Sequence, residues 1–403
     1  MKVRVAVLHH RWGYGGAQVV FFYAVRALAE AGFDVTVLTV EKPEFRVYED
    51  IVGEPFPPGV RVERVLPVGV RAFTIYKGLL SGALAPLLAP RGSYDVLLAT
   101  HGYPVMTRGL ETPLVFYVQA PASLVFDDRY NPELSTAYSL KSPLREGVVG
   151  SLWSAVLWLY SRPYVLLGEM LARSVLRGAR RILVNSAFTL EALRYAVEKY
   201  GCCDDALSRA EILHPPLPRA GELVAARRPE REPCVTAMGR LSPEKRIDLV
   251  VETARVLEDM RFYVLGAVWG RASRAYYEKV RSAAPRNVTI EVNAPSERKR
   301  ELLSKCSVYL HPAAGEAFGI APLEAMAAGA TLVVHKSSGT WTDVCLEGSY
   351  CYGFESQDPR DIARRVEEAL ARPKVAPLEH IERFSPKRFA SGIVRAVESA
   401  LES

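Results

Sequence analysis

Short apolar runs, rich in β-branched residues, alternate along the chain with longer amphipathic stretches. Val3–Leu8 is the first run, followed by a loop ending in Gly15-Gly16. Ala17–Ala31 then places Val20, Phe21, Ala24 and Leu28 on one helical face and stops at Gly32, a residue suited to close a helix. Val35–Val40 predicts the next strand. Strand, glycine loop, helix and strand in that order make a βαβ unit, which implies a parallel sheet. Further strands are predicted at Val60–Leu66, Asp95–Thr100, Leu114–Gln119 and Arg181–Asn185.

A proline-rich passage from Leu213-His-Pro-Pro-Leu-Pro218 to Pro233 reads as a linker, after which the alternation restarts. Strands are predicted at Cys234–Met238, Phe262–Leu265, Val288–Val292, Val308–His311 and Thr331–His335. Helices are predicted at Arg246–Leu257, Tyr276–Ala283, Ser296–Cys306 and Ala321–Ala328. The expected organisation is therefore an α/β domain over residues 1–218, a second over 219–385, and a C-terminal helix, Pro386–Leu401, within 386–403 that packs back towards the first.

One segment, 123–176, breaks the pattern. Its apolar runs around Val148–Tyr160 and Tyr164–Leu167 are each shorter than the ~20 residues of a spanning helix, and Arg162-Pro163 divides them. Trp153, Trp158, Tyr160 and Tyr164, followed by Arg173, Arg177, Arg180 and Arg181, suit a membrane surface contacted through residues 148–181. A buried helical hairpin is the competing expectation.

The chain's 403 residues exceed one ordinary core, which agrees with two domains. Apolar residues make up 49% and charged residues 24%, a globular composition that excludes disorder. Net charge is +6 without any aromatic–basic module, which speaks against nucleic acid as partner. Six cysteines form no CxxC pair and no zinc-type spacing, so no metal site and a reduced, intracellular chain are expected. The first eight residues, broken by Arg4, predict a strand rather than a signal peptide, consistent with a cytoplasmic protein.

Candidate chemistry concentrates in His311-Pro-Ala-Ala-Gly-Glu-Ala-Phe-Gly-Ile-Ala-Pro-Leu-Glu-Ala-Met-Ala-Ala-Gly329. A strand end, a loop carrying Phe318, Gly319 and Ile320, and a helix start direct backbone amides at one spot, suited to a phosphate or a sugar. Glu316 in the loop and Glu324, expected in the first helical turn, each offer a carboxylate able to clamp a vicinal diol. In Met238-Gly-Arg-Leu-Ser-Pro-Glu-Lys-Arg246, Arg240 and Lys245 lie in a turn after a strand, where two cations would neutralise a diphosphate. The loop Arg11-Trp-Gly-Tyr-Gly-Gly-Ala-Gln18 lets backbone approach a ligand at Gly15 and Gly16. It is a loose dinucleotide fingerprint with Glu41 as a possible ribose acid, but GxGxxG is not met.

Together these motifs resemble family 4 of the retaining glycosyltransferases, in order and over nearly the whole chain. That resemblance implies the α/β GT-B fold, two Rossmann-like doubly wound domains facing across a cleft. Within the family, Thr100-His-Gly-Tyr103, Phe116-Tyr-Val-Gln-Ala-Pro121, Val184-Asn-Ser-Ala-Phe-Thr-Leu190 and Leu213-His-Pro-Pro216 look most like the α-1,2-mannosyltransferases that extend lipid-linked oligosaccharides on the cytosolic face of a membrane. By resemblance, Glu316 holds the donor hexose, Glu324 the ribose, Arg240 and Lys245 the diphosphate, and Gly15-Gly16 a donor phosphate or the acceptor.

No cofactor is implied beyond a GDP- or UDP-linked sugar donor, and Asp-x-Asp, the usual metal motif of the other glycosyltransferase fold, is absent. The acceptor would be a glycan or lipid-linked sugar, with the protein cytoplasmic or peripheral on the membrane. Three positions depart from the family pattern: Gln119 stands where His is common, Gln18 where Glu is common, and Arg246 where Gly is common. Gln119 can bond a sugar hydroxyl but takes no proton near neutrality; His101 is then the candidate to serve the acceptor side with Tyr103. The rival functions are a sugar-nucleotide epimerase of the same fold and a non-catalytic membrane-surface binding protein.

Overall fold

The computed structural model describes residues 2–65, 83, 94–104, 112–120 and 152–402, with backbone alone from 152 to 161. The early part of the 123–176 segment, Pro121, and the side chains of Trp153, Trp158 and Tyr160 therefore lie outside the described residues. The chain divides into two compact units. One is 1–128, 135–218 and 386–403; the other is 129–134 and 219–385.

The first unit is built on a parallel sheet of seven described strands: β1 (Arg4–Leu8), β2 (Asp34–Thr39), β3 (Arg61–Arg64), β4 (Val96–Ala99), β5 (Leu114–Val118), β6 (Arg181–Val184) and β7 (Ala210–Ile212), in the order β3-β2-β1-β4-β5-β6-β7. Val5 pairs with Val35 on one side and Val96 on the other, and Val5 to Leu8 are all buried. Burial on both faces is why these strands read as unbroken apolar runs. Helix α1 (Gly16–Glu30) buries Val20, Phe21, Ala24 and Leu28 as predicted, and Gly32 follows it at φ 88°.

Two expectations need correction here. Arg162-Pro163 does not divide two helices: α3 (Leu152–Gly178), following the short α2 (Phe45–Val52), runs through Pro163 as one helix. No described helix is long and apolar enough to cross a membrane. Nor do Arg173, Arg180 and Arg181 form a free basic patch. The Arg173 guanidinium lies over the Tyr200 ring (5.4 Å), Arg180 donates to the Ala400 carbonyl (2.9 Å) and Arg181 to Ser399 Oγ (2.9 Å). Those last two bonds hold the C-terminal helix, Pro386–Glu402, which packs on α1 and on β4, β5 and β6 of the same unit.

The second unit repeats the plan with β8 (Glu232–Arg240), β9 (Arg261–Ala267), β10 (Val288–Val292), β11 (Cys306–His311), β12 (Thr331–His335) and β13 (Cys351–Phe354), in the order β10-β9-β8-β11-β12-β13, all parallel. The proline-rich passage is not a loose linker throughout. It contains a short helix, Ala220–Ala225, and Arg227 and Arg231 beyond it donate to the carbonyls of Ala327 (2.8 Å) and Ala328 (2.6 Å). The cysteine expectation also fails: Cys234 bonds Cys306 and Cys345 bonds Cys351, leaving Cys202 and Cys203 as thiols. Local spacing could not show the first pair, because side-by-side pairing of β8 with β11 is what brings Cys234 and Cys306 together.

Candidate active site

In a doubly wound sheet, ligands bind beyond the carboxyl ends of the strands where the strand order reverses. In the second unit that point lies between β8 and β11, and their last residues are Arg240 and His311. Beyond β8 the chain makes a single 3₁₀ turn, Pro243–Lys245, in which Ser242 Oγ donates to Glu244 Oε1 (2.7 Å) and Glu244 pairs with Arg240 (3.1 Å). Lys245 lies along Gly239, where a Cβ would stand 3.7 Å from its Cγ, and reaches the Glu316 carboxylate with its ammonium. The three predicted residues Arg240, Lys245 and Glu316 are thus placed around one strand-end turn.

Glu316 is held from both sides. Its Oε2 accepts from Lys245 Nζ and lies 3.3 Å from His311 Nε2. Burial opposes its ionisation, but Lys245 and the His311 hydrogen bond outweigh burial and keep the carboxyl well below its ordinary range. Its loop is stitched to the loop after β12: Gly315 N–H donates to Ser337 O (2.7 Å), Gly339 N–H to Glu316 O (2.7 Å) and Thr340 Oγ1 to Phe318 O (2.8 Å). Gly319 sits at φ 95°, and a Cβ there would meet Thr340 Oγ1 at 2.1 Å, so glycine is required. Phe318 is buried 5.6 Å from the Phe384 ring.

Ile320 opens the following helix, Ile320–Ala327, so Glu324 lies in its second turn and not in the first as expected. It cannot be explained as a first-turn complement to the helix dipole. Burial pushes its carboxyl up to about 7, with Lys299 pulling the other way. Tyr309, buried on β11, senses the charge of both glutamates and donates its hydroxyl to Met238 O (3.1 Å). Sequence reasoning missed His311 and Tyr309; the histidine's signal was its position, a strand-terminal polar residue five before Glu316.

The corresponding edge of the first unit carries the other predicted residues. Gly15 caps α1 and Gly16 opens it, with Gln18 Oε1 2.7 Å from where a Gly15 Cβ would stand. At the reversal between β1 and β4, the His101 ring meets His10 (4.5 Å) and His9 (5.5 Å) edge-on. Surrounding protein and then Arg11 lower the His101 pKa, although an edge of the residue is exposed. His9, which sequence reasoning missed, is buried against Phe21 (4.3 Å); its Nδ1 lies 3.0 Å from Thr100 Oγ1, and burial keeps it neutral.

Two acceptor-side candidates take structural places. The Gln119 amide donates to Thr100 O (2.9 Å) and Ala17 O (3.4 Å), tying β4, β5 and α1 together. Tyr103 is buried over Phe116 (5.3 Å) among Ala172, Leu176 and Leu193. Glu41 is not a ribose acid in waiting either: it accepts from the Trp12 N–H (3.3 Å) and pairs with Arg11 (3.7 Å).

These sites can be set beside known proteins. Residues 14–199 match the family described as Glycosyltransferase Family 4, and residues 222–387 match Glycosyl transferases group 1. Among curated relatives, a D-inositol 3-phosphate glycosyltransferase of Geodermatophilus obscurus is 26% identical over 96% of this chain and 85% of its own length. A GDP-Man:Man(3)GlcNAc(2)-PP-Dol alpha-1,2-mannosyltransferase of Dictyostelium discoideum is 27% identical over 40% of this chain, which spans only 35% of that relative. Among solved structures, Anabaena Alr3699/HepE in complex with UDP and glucose superposes with a TM-score of 0.65 at 14% identity, covering 98% of this chain and 99% of that one. Sucrose-phosphate synthase from Thermosynechococcus elongatus gives 0.62 at 17%, covering 100% and 97%.

Two doubly wound parallel sheets of this order make the GT-B fold, shared with these solved structures. The chain belongs to the family 4 and group 1 glycosyltransferases.

Proposed function

We propose that the protein moves a hexose, mannose favoured, from a GDP- or UDP-linked donor to a glycan or lipid-linked acceptor, with retention of anomeric configuration and without a metal ion. The observation that carries this reading is the convergence of Lys245 and His311 on Glu316 beside Arg240. Arg240 and Lys245 hold the diphosphate and stabilise the charge that develops as it leaves. Glu316, kept ionised, accepts from hexose hydroxyls; Glu324 accepts from the ribose diol once it has lost its proton. The leaving phosphate takes the acceptor's proton, so no enzymic nucleophile is needed, and His101 serves the acceptor side. The α-1,2-mannosyltransferase relative supports mannose, and the UDP- and glucose-bound neighbour supports a nucleotide-sugar donor.

A lipid-linked acceptor is supported by Leu166 (61% exposed) and Met170 (67% exposed), one turn apart on α3 between the exposed Arg162 and Arg177. A phosphorylated cyclitol is the second acceptor reading, favoured by the near-full-length coverage of the inositol phosphate glycosyltransferase.

The test is donor turnover with GDP-mannose, UDP-glucose and their relatives, in wild type, Arg240→Ala and Lys245→Ala. Each variant should lose ~2–4 kcal/mol of transition-state stabilisation, roughly 30- to 1,000-fold in rate. Unchanged kinetics in both would remove the diphosphate assignment. Product anomer by NMR decides retention, and activity surviving EDTA decides metal independence.

A further inference from the structure

Two cationic or cationisable groups share one oxygen at this site. Lys245 Nζ, from the turn after β8, and His311 Nε2, from the end of β11, both address Glu316 Oε2. They do so from adjacent strands, and each is largely enclosed: the His311 side chain is 6% exposed, Lys245 21% and Glu316 18%. A single counter-charge already satisfies a carboxylate, so the second partner calls for a reason. That reason lies in the other demand on Lys245. If the donor reading above holds, the arriving diphosphate competes with Glu316 for the same ammonium, and a buried carboxylate left without its cation is costly.

We propose that His311 is a positioning residue that takes over as the counter-charge of Glu316 when a diphosphate draws Lys245 away, accepting one proton from the buffer as it does so. Only an N–H bond forms: the imidazole becomes an imidazolium, keeps its Nε2–H on Glu316 Oε2, and the carboxylate stays ionised and correctly aimed at the hexose. The groups around the ring permit this. Tyr309 lies nearly parallel to it at 6.4 Å with its hydroxyl committed to Met238. His335, at the end of β12, is held below its ordinary pKa by burial; Glu355 pulls the other way, and Arg246 and His311 itself add to the lowering. Arg240 is occupied by Glu244, and Glu324 lies on the following helix, where its charge reaches Tyr309. The bound state then carries more protons at His311 than the free state. Its contribution to donor affinity therefore grows as pH falls.

Calorimetry on the full chain, with GDP-mannose and UDP-glucose as probes, tests this. Both diphosphates are esterified at each end and do not titrate near neutrality. Titrations near pH 7 in buffers of different ionisation enthalpy give the protons exchanged on binding. Glu324 releases a proton in the same site, so the readout is the difference between wild type and His311→Gln, whose amide keeps a donor for Glu316 but cannot ionise. Wild type should take up more protons per donor bound than His311→Gln. Equal proton counts would overturn the proposal while leaving the donor site standing. No binding of either probe to wild type would instead overturn the donor reading on which it rests. A second arm needs no donor. In Lys245→Gln, the histidine C2–H resonance that is missing from His311→Gln should titrate at higher pH than in wild type, and an unchanged midpoint would also overturn the hand-over.

Discussion

Glu324 is a carboxyl whose surroundings favour the neutral form. Its folded pKa of about 7 exceeds the ordinary 4.5, because burial penalises the charge more than Lys299 relieves it. The linkage sign follows. Between those values the folded protein holds a proton that the unfolded chain has released, so this stabilisation is complete below 4.5 and is lost as pH rises through about 7. Without donor, the melting temperature of wild type should fall across that window relative to Glu324→Gln, whose side chain has no proton to lose. Parallel melting curves from pH 4.5 to 8 would show that the carboxyl is not perturbed as described. The same residue shows what a sequence yields at this scale. The placement of Glu316, Arg240 and Lys245 around one strand-end turn was legible because each lies at or just past a strand end that the hydrophobic pattern had already located, whereas Glu324 falls a turn further into its helix than expected. His311 looked like the last residue of a strand, and only the side-by-side placement of β8 and β11 reveals that it shares a carboxylate with Lys245.

Elements were legible in proportion to how local their causes are. The apolar runs of β1, β5 and β12 and the periodicity of α1 predicted their places within a residue or two. The helix Pro359–Ala371 was missed although its start is marked, with Asp358 accepting from the Arg360 N–H (3.0 Å) and proline at the first helical position. The loop after β12 was invisible, since its role is to brace another loop. Gly339 is the tightest point of that brace: a Cβ would stand 2.0 Å from the Ala317 carbonyl oxygen, and backbone cannot move aside as a side chain can. Gly339→Ala should therefore cost about 1–3 kcal/mol of stability and displace Glu316. Donor KM should rise even where the melting temperature shows the variant folded. A variant with wild-type KM would mean that the brace does not position the carboxylate.

At the scale of the molecule, the open matter is what α3 faces. Leu166 and Met170 are exposed one turn apart, whereas Arg173, Arg180 and Arg181 are engaged by the fold. Apolar contact should therefore contribute more to any lipid binding than charge does. In flotation, wild type should rise with anionic vesicles and lose only part of that binding in high salt, because screening acts on the surface charges. Leu166→Ser with Met170→Ser should stay at the bottom of the gradient at an unchanged melting temperature. Wild type that never floats would leave a soluble acceptor as the better reading.

The return of residues 386–403 to the first unit also has a consequence in time. During synthesis most of the first unit leaves the ribosome early, yet the helix that covers α1 and β4 to β6 is made after the second unit's segment 219–385. The second unit, whose segment 219–385 is continuous, has nearly all its residues before the older one does. The usual order, in which the N-terminal domain folds first, is thereby reversed for the final packing step. Until residues 386–403 have left the ribosome, the apolar face that packs against Phe389, Ile393, Ala396 and Val397 lacks its cover.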